Sequence, residues 1–348
     1  MTGRPLAAVL MAAMLTPVTG RGVDPLPGPM HESALESIDK VYREDFDGAL
    51  EAARGIIRSY PSHPAGDFFC AAALDAWMAH YRSNSREDEF YRYCNAAVEK
   101  AEELADRGKE SPWSIFFMGG AEGLKANYEM RYERWITAFR YGWKGVTVLR
   151  KLREKHDEMY DISYGIGTYL YWRSAMAQVL RWLPGVKDER EEGLALLRSA
   201  RAKGVYTKTA SAAGLMQAML NEGMFDSALV ICEDMLRRYP QSLLFEQGRG
   251  RALHGLARYA EAEAVFRRIL FRVETEEFEN KYNAVMARYW LAKTAYRLGR
   301  YASCIAECEG MRGYALEHEL ERRLDDHFRE ARELQENAQR RHTSAPVQ

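Results

Sequence analysis

Four stretches of this chain share one spacing, and that repetition limits the fold more than any other feature. Phe225, Ala228, Cys232 and Met235 lie three, four and three residues apart, with Pro240 five further on. Tyr259, Ala262, Phe266 and Ile269 repeat the intervals 34 residues later, and Tyr301, Cys304, Cys308 and Met311 after a further 42. Near the N-terminus Phe46, Ala49, Ala53, Ile56 and Pro61 reproduce the whole set. Steps of three and four place these side chains on one stripe of a helix. The aromatic fills the gap at the helix start, and the small residue lets a partner helix approach. The next two apolar residues close the core, and the proline stops the helix. Gly223, Ala257 and Gly299 stand two residues before the aromatic and make a tight turn from a preceding helix. A two-helix unit this short cannot bury its own apolar face, so the units must stack.

A helix–turn–helix of this length with these positions resembles the tetratricopeptide repeat (TPR), over residues 209–313 and again over 32–64. There are departures: Cys304 stands for the usual alanine, no proline follows the last unit, and Ala212, Glu246 and Arg288 occupy the tryptophan position. The extra residues between the second and third C-terminal units fit a longer linker around "TEEFENKY". Residues 65–205 keep the hairpin rhythm but leave the consensus, and five of the seven tryptophans fall between Trp113 and Trp182. This middle loosely resembles secreted bacterial TPR-like proteins. Prolines are sparse, and no segment alternates with period two, so strands are not expected. The expected fold is all-α, an α-α superhelix: a TPR-type solenoid of about seven helical hairpins plus a C-terminal capping helix. The expected divisions are a signal peptide at 1–20, a linker at 21–31, and N-terminal and aromatic-rich hairpins at 32–205. TPR units follow at 206–313, a capping helix at 314–340 and a disordered tail at 341–348.

Composition narrows the function classes. Lys plus Arg number 49 against 50 Asp plus Glu in 348 residues, so no basic excess points to nucleic acid. Arg4, the apolar run "PLAAVLMAAML" and the small residues of "TPVTGRG" have the layout of a secretory signal. The run is too short for an integral span, which takes roughly 20 residues. "VDPLPGPM" reads as a Pro/Gly linker. Cys70, Cys94, Cys232, Cys304 and Cys308 form no C-x-x-C pair and no familiar metal spacing, and read as small buried hydrophobes.

Motifs for chemistry are missing. There is no G-x-x-x-x-G-K-[ST], no H-E-x-x-H and no G-x-S-x-G, and no two histidines lie three or four apart. "YGIGTYLYW", "GRGRALHG" and "GGAEG" lack the context of a nucleotide-binding turn and read as close helix crossings. No catalytic residue, metal ligand or cofactor site is therefore expected.

Two surfaces remain. In TPR proteins the first helix of each pair lines the concave face, which here implies a groove of Gln217, Asn221, Gln247, Arg251, His254, Tyr289, Lys293 and Arg297. Its arginines and lysine suit a protein or peptide partner with an acidic segment. The second surface is the aromatic middle, where Trp135, Tyr169 and Trp172 are expected either in the core or around a pocket for a small apolar ligand or peptide. The leader and the resemblance together imply an exported, non-catalytic interaction scaffold in the bacterial cell envelope, expected in the periplasm. The alternative is a TPR-like ligand-binding accessory, for example a transporter-associated one, that uses the aromatic middle.

Overall fold

The structure, a computed structural model, describes residues 23–176 and 187–343. The expected signal peptide and Trp182 lie outside the described residues, as does the tail beyond 343. Fifteen helices and no strand are found among the described residues. They pair in chain order as α1 (Gly28–Tyr42) with α2 (Phe46–Ser59), α3 (Ala65–Tyr81) with α4 (Glu87–Asp106), and α5 (Pro112–Arg131) with α6 (Trp135–Lys155). Then come α7 (Ile162–Met176) with α8 (Arg190–Lys203), α9 (Lys208–Asn221) with α10 (Phe225–Arg238), and α11 (Leu243–Gly255) with α12 (Tyr259–Thr275). The last pair is α13 (Lys281–Arg297) with α14 (Tyr301–Met311), followed by α15 (His318–Thr343). The chain is thus an all-α solenoid of helical hairpins with a long terminal helix. Two boundaries move: α1 begins at Gly28, inside the expected linker, and α15 continues to Thr343. A proline in the first turn of α1 is tolerated because its missing N–H would have had no partner there. The residues before it are not a free tether. The Leu26 N–H donates to the Tyr206 hydroxyl at 3.1 Å, and Trp113 Nε1 donates to the Asp24 carbonyl at 2.8 Å.

The repeated stripe is the core of each unit. Ala49, Ala53 and Ile56, Ala228, Cys232 and Met235, Ala262, Phe266 and Ile269, and Cys304, Cys308 and Met311 are all buried. The turns are equally repetitive. Gly223, Ala257 and Gly299 have φ of 71°, 59° and 72°. In each turn the next N–H returns to a carbonyl five residues back, as Met224 to Met219 at 2.8 Å, Arg258 to Leu253 at 2.9 Å and Arg300 to Ala295 at 2.9 Å. This left-handed closure satisfies the last carbonyls of the first helix. The same bond joins Asp45 to Lys40 and Arg134 to Glu129, with Glu44 at φ 66° and Glu133 at φ 59°. The α5–α6 hairpin therefore carries the turn of the other repeats, and Trp135 stands where Phe46, Phe225, Tyr259 and Tyr301 begin their helices.

Glycines let the divergent hairpins pack tightly. A Cβ on Gly145 would meet the Gly119 carbonyl oxygen at 2.7 Å, and one on Gly167 would meet that of Gly193 at 2.8 Å. Backbone contacts of this kind cannot yield as a flexible side chain can. Beside the first crossing lies the buried Glu122 carboxylate, held between Lys125 at 3.1 Å and Lys144 at 2.8 Å. Gly123, one turn on from Gly119, is different: nothing lies within 4 Å of its would-be Cβ. Gly145→Ala is expected to cost about 1–3 kcal/mol by overpacking. Gly123→Ala should stabilise by up to about 1 kcal/mol through helix propensity. Urea unfolding midpoints of the two variants check this opposition of sign.

Candidate functional site

The hairpins wind so that their first helices face a common axis. Around it α1, α3, α5, α6, α7 and the start of α9 enclose a cavity of about 550 Å³. Small residues line it: Ala72 and Ala76 on α3, Gly119, Gly120, Gly123 and Ala126 on α5, and Gly142 and Gly165 opposite, and of these glycines only Gly123 borders open space. Phe68, Phe116, Tyr169 and Trp172 supply aromatic walls. Open space at Gly123 identifies what its missing side chain leaves behind, since that residue lines the cavity.

The chamber has a closed end and an open end. Near the N-terminal ends of α3 and α5, and just ahead of α9, Phe69, Phe116 and Tyr206 form a plug, with Tyr206 only 5% exposed. The Trp113 and Tyr206 rings lie 4.8 Å apart, edge to face. Asp161 fixes this end. It is buried and accepts from the Val205, Tyr206 and Thr207 N–H groups at 2.8 Å each, and from the Thr207 hydroxyl at 2.9 Å. At the C-terminal ends of α5 and α7 the lining residues Trp135, Phe139 and Met176 are 48%, 55% and 44% exposed. The mouth is therefore apolar and wet, while the floor is dry.

Polar groups in the wall are few. Asp75 and Asn127 line the chamber, with Asn127 Nδ2 donating to Asp75 Oδ2 at 3.2 Å. Behind them Arg131 Nη2 donates to Asp75 Oδ1 at 2.7 Å. Burial pushes the Tyr164 hydroxyl up to about 12, with the Asp75 charge adding to the effect. The Thr168 and Tyr169 hydroxyls, on the lining helix α7, are buried with no hydrogen-bond partner among the described residues. Such orphaned groups are uncommon in a filled core.

A seam joins the first two hairpins to the last two. The Glu44 carboxylate accepts from the Leu243 N–H and pairs with Arg272. His80 stands 3.7 Å from Glu44 and 3.6 Å from Glu276. The Asn283 side chain donates to the His80 carbonyl at 2.7 Å. Burial alone would raise the Glu276 carboxyl, but His80, Asn280 and Arg272 hold it below its ordinary value. Rings follow the same seam: Tyr42 lies 6.2 Å from Phe245, and Tyr81 lies 5.6 Å from Phe278.

Trp135, Tyr169 and Trp172 are brought together around this one chamber. The groove residues are placed differently. They lie on α9, α11 and α13, but nearly all are engaged with neighbouring helices. Asn221 donates to the Tyr171 hydroxyl at 2.9 Å, Arg251 reaches Gln217 at 3.4 Å, and Gln247 donates to Asn283 at 2.7 Å. His254 meets the Thr294 hydroxyl at 3.1 Å. Burial, with Lys293 and Arg297 nearby, pushes its imidazole down to about 4, so it is neutral at pH 7. Tyr289 is buried and bonded to Glu330 of α15, and Lys293 lies 2.9 Å from the Tyr289 hydroxyl and 3.7 Å from Glu330. Arg297 alone of the eight is an exposed cation without an ion pair among the described residues.

The residues missed by sequence reading are Asp75, Asn127, Arg131 and Tyr164. The spacing of Glu133 before Trp135, which matches Gly223 before Phe225, is the signal that would have placed α5 on the axis. All five cysteines are free and buried, and burial pushes the Cys232 thiol up to about 12. No group of three metal-ligating side chains occurs among the described residues, and no described helix is long and apolar enough to cross a membrane.

No family model and no curated protein matches the chain. Among solved structures it is similar to a tetratricopeptide repeat protein from Parabacteroides merdae, at 14% identity and a TM-score of 0.39, over 90% of this chain and 100% of that one. The fold stands on its own hairpins, not on that distant likeness.

Glu44→Ala is expected to open the seam. It removes a buried carboxylate from a helix N–H and an arginine, a loss of about 3 kcal/mol. Hydrogen exchange should rise in α3, α11 and α13 and stay unchanged in α14.

Proposed function

We propose that this protein is a non-catalytic binding protein in which a TPR-type solenoid closes around a chamber for one elongated apolar ligand. The observation that carries this reading is the chamber itself, open at Trp135, Phe139 and Met176 and plugged at Tyr206. Concave, largely apolar cavities of this size with a few fixed polar groups are the usual form of a small-molecule site. The groove reading is less favoured, because Lys293 and Arg251 already have partners within the chain. A polarity-sensitive fluorophore such as N-phenylnaphthylamine should bind the purified protein, and native mass spectrometry should find a retained small molecule. Gly123→Leu, which projects into the open space, is expected to weaken probe binding about tenfold or more with the fold intact. A wild-type protein that neither retains a ligand nor binds the probe would overturn the reading.

A scaffold for a protein partner is the second reading. Ile136 and Trp143 on α6 are strongly exposed outside the chamber lining and give it an outer apolar surface. Either role is proposed to operate outside the cytoplasm, in the cell envelope, on the strength of the leader at 1–20. N-terminal sequencing of the protein made in its own cell should begin near residue 21, and a start at Met1 in the cytosol would refute export.

A further inference from the structure

Exposed apolar side chains are not spread evenly over the outside of the solenoid. Ten large hydrophobic residues are exposed among the described residues, and four of them, Trp135, Ile136, Phe139 and Trp143, fall in the first nine residues of α6. Ile136 is the most exposed of all, at 88%. Single exposed residues such as Val230 on α10 and Phe271 on α12 need no partner. A contiguous group marks an interaction surface, because removing it from water is favourable. The opposite face of α6, with Gly145, Val146, Leu149 and Leu152, is buried against the rest of the chain. The helix is thus held in place from behind.

The outer face also carries charge of one sign. Ile136, Phe139 and Trp143 lie three and four residues apart, and Thr147, Arg150 and Lys151 continue the stripe, with Arg140 beside it. No Asp or Glu occurs between Glu133 and Glu154, in a chain whose charges otherwise nearly cancel. Glu133 is held by Arg322 at 3.2 Å. Of the six cations in that interval, Arg134 pairs with Glu87 and Glu129, and Lys144 pairs with Glu122. Arg140, Arg150, Lys151 and Arg153 have no ion pair among the described residues.

We infer that the outer face of α6 docks on an anionic lipid surface, its aromatic end entering the headgroup region while Arg140, Arg150 and Lys151 meet lipid phosphates. A helix face is convex, so a protein partner would need a matching groove, whereas a fluid surface moulds to it. Tryptophan rings, apolar in body and polar at one N–H, settle at the boundary between lipid and water. Unpaired cations beside them select anionic over neutral lipid. The contact is peripheral, since no described helix is long and apolar enough to cross a membrane. Trp135 and Phe139 also line the chamber mouth, so docking would set that mouth against the bilayer. An apolar ligand would then pass between lipid and chamber without crossing water. That passage rests on the chamber reading above, and the docking does not.

The test is flotation of the full chain with vesicles of phosphatidylglycerol and, separately, of phosphatidylcholine. Wild type is expected to bind phosphatidylglycerol about tenfold or more tightly, with the difference shrinking at high salt. Two variants, Ile136→Ser with Trp143→Ser, and Arg140→Gln with Arg150→Gln and Lys151→Gln, should each weaken that binding about tenfold. All five side chains lie outside the chamber lining. Both variants should therefore keep the wild-type melting temperature and, without vesicles, the wild-type affinity for N-phenylnaphthylamine. Both also keep the leader at 1–20, so wild-type vesicle binding in either one would assign the binding elsewhere and overturn the inference. Equal binding to the two lipids would overturn it as well. Binding to neither would return the face to a protein partner, or to a second copy if the wild type is a dimer that Trp143→Ser makes monomeric. Failure of the probe to bind wild type would remove the chamber reading and leave the docking standing.

Discussion

The seam at Glu44 is the contact on which the enclosed form depends. A solenoid built only from neighbour contacts leaves its inner face open to water along its whole length. Here the first turn, α1–α2, returns to the start of α11 about two hundred residues later. Leu243 begins α11, and Ser242 before it makes no side-chain cap. The free N–H at that helix end is satisfied by Glu44, from another hairpin, with the carboxylate also placed favourably toward the helix N-terminus. Glu44 occupies the left-handed position that Gly223 and Gly299 fill elsewhere. A non-glycine residue there is disfavoured by about 1–2 kcal/mol. The hydrogen bond to Leu243 and the pairing with Arg272 explain why a carboxylate holds the position all the same.

Once the ring is closed, side-chain size along the inner helices decides what lies at its centre. Bulky residues would have produced a continuous core. Ala72, Ala76, Gly123 and Ala126 leave a void instead, while Phe69, Phe116 and Tyr206 seal only one end. Two kinds of glycine are mixed in one short run of α5. Gly119 is small because the Gly145 backbone is against it, and Gly123 borders empty space. The first is a packing requirement, and its replacement strains the α5–α6 crossing. The second has no packing role that the surrounding atoms reveal.

Much of the architecture was legible in the sequence because each hairpin writes its own core. The three-four-three stripe, the residue two places before the aromatic, and the charged terminal helix all correspond to observed elements. Hairpin α5–α6 was harder to recognise because Gly142 and Gly145 replace the bulky positions after Trp135 and Ala138. The seam was illegible for a different reason. Its contacts rest on single residues such as Glu44, His80 and Asn283, separated by most of the chain and obeying no period. The groove residues lie on α9, α11 and α13, yet their charges could not be summed from one face alone. Glu330 lies on the capping helix α15, outside the repeats that define the groove, and it is what meets Tyr289 and Lys293. The linker was misread because Leu26 and Trp113 are too far apart in sequence for their shared packing around Tyr206 to show.

Closure and occupancy act on the same state. An empty apolar chamber forgoes the dispersion contacts that its walls would make in a filled core, so it opposes the folded, closed form. A ligand that binds only when the seam is shut offsets that loss by RT ln(1 + [L]/Kd), about 2.7 kcal/mol at a hundredfold excess over Kd. The same free energy must appear as tighter closure in the presence of ligand and as weaker binding when the seam is loosened. The charged seam residues Glu44, His80, Arg272 and Glu276 are not among the residues that line the chamber. Their influence on affinity would therefore travel only through the closed ring, which ties the solenoid's longest-range contact to the function proposed for its centre.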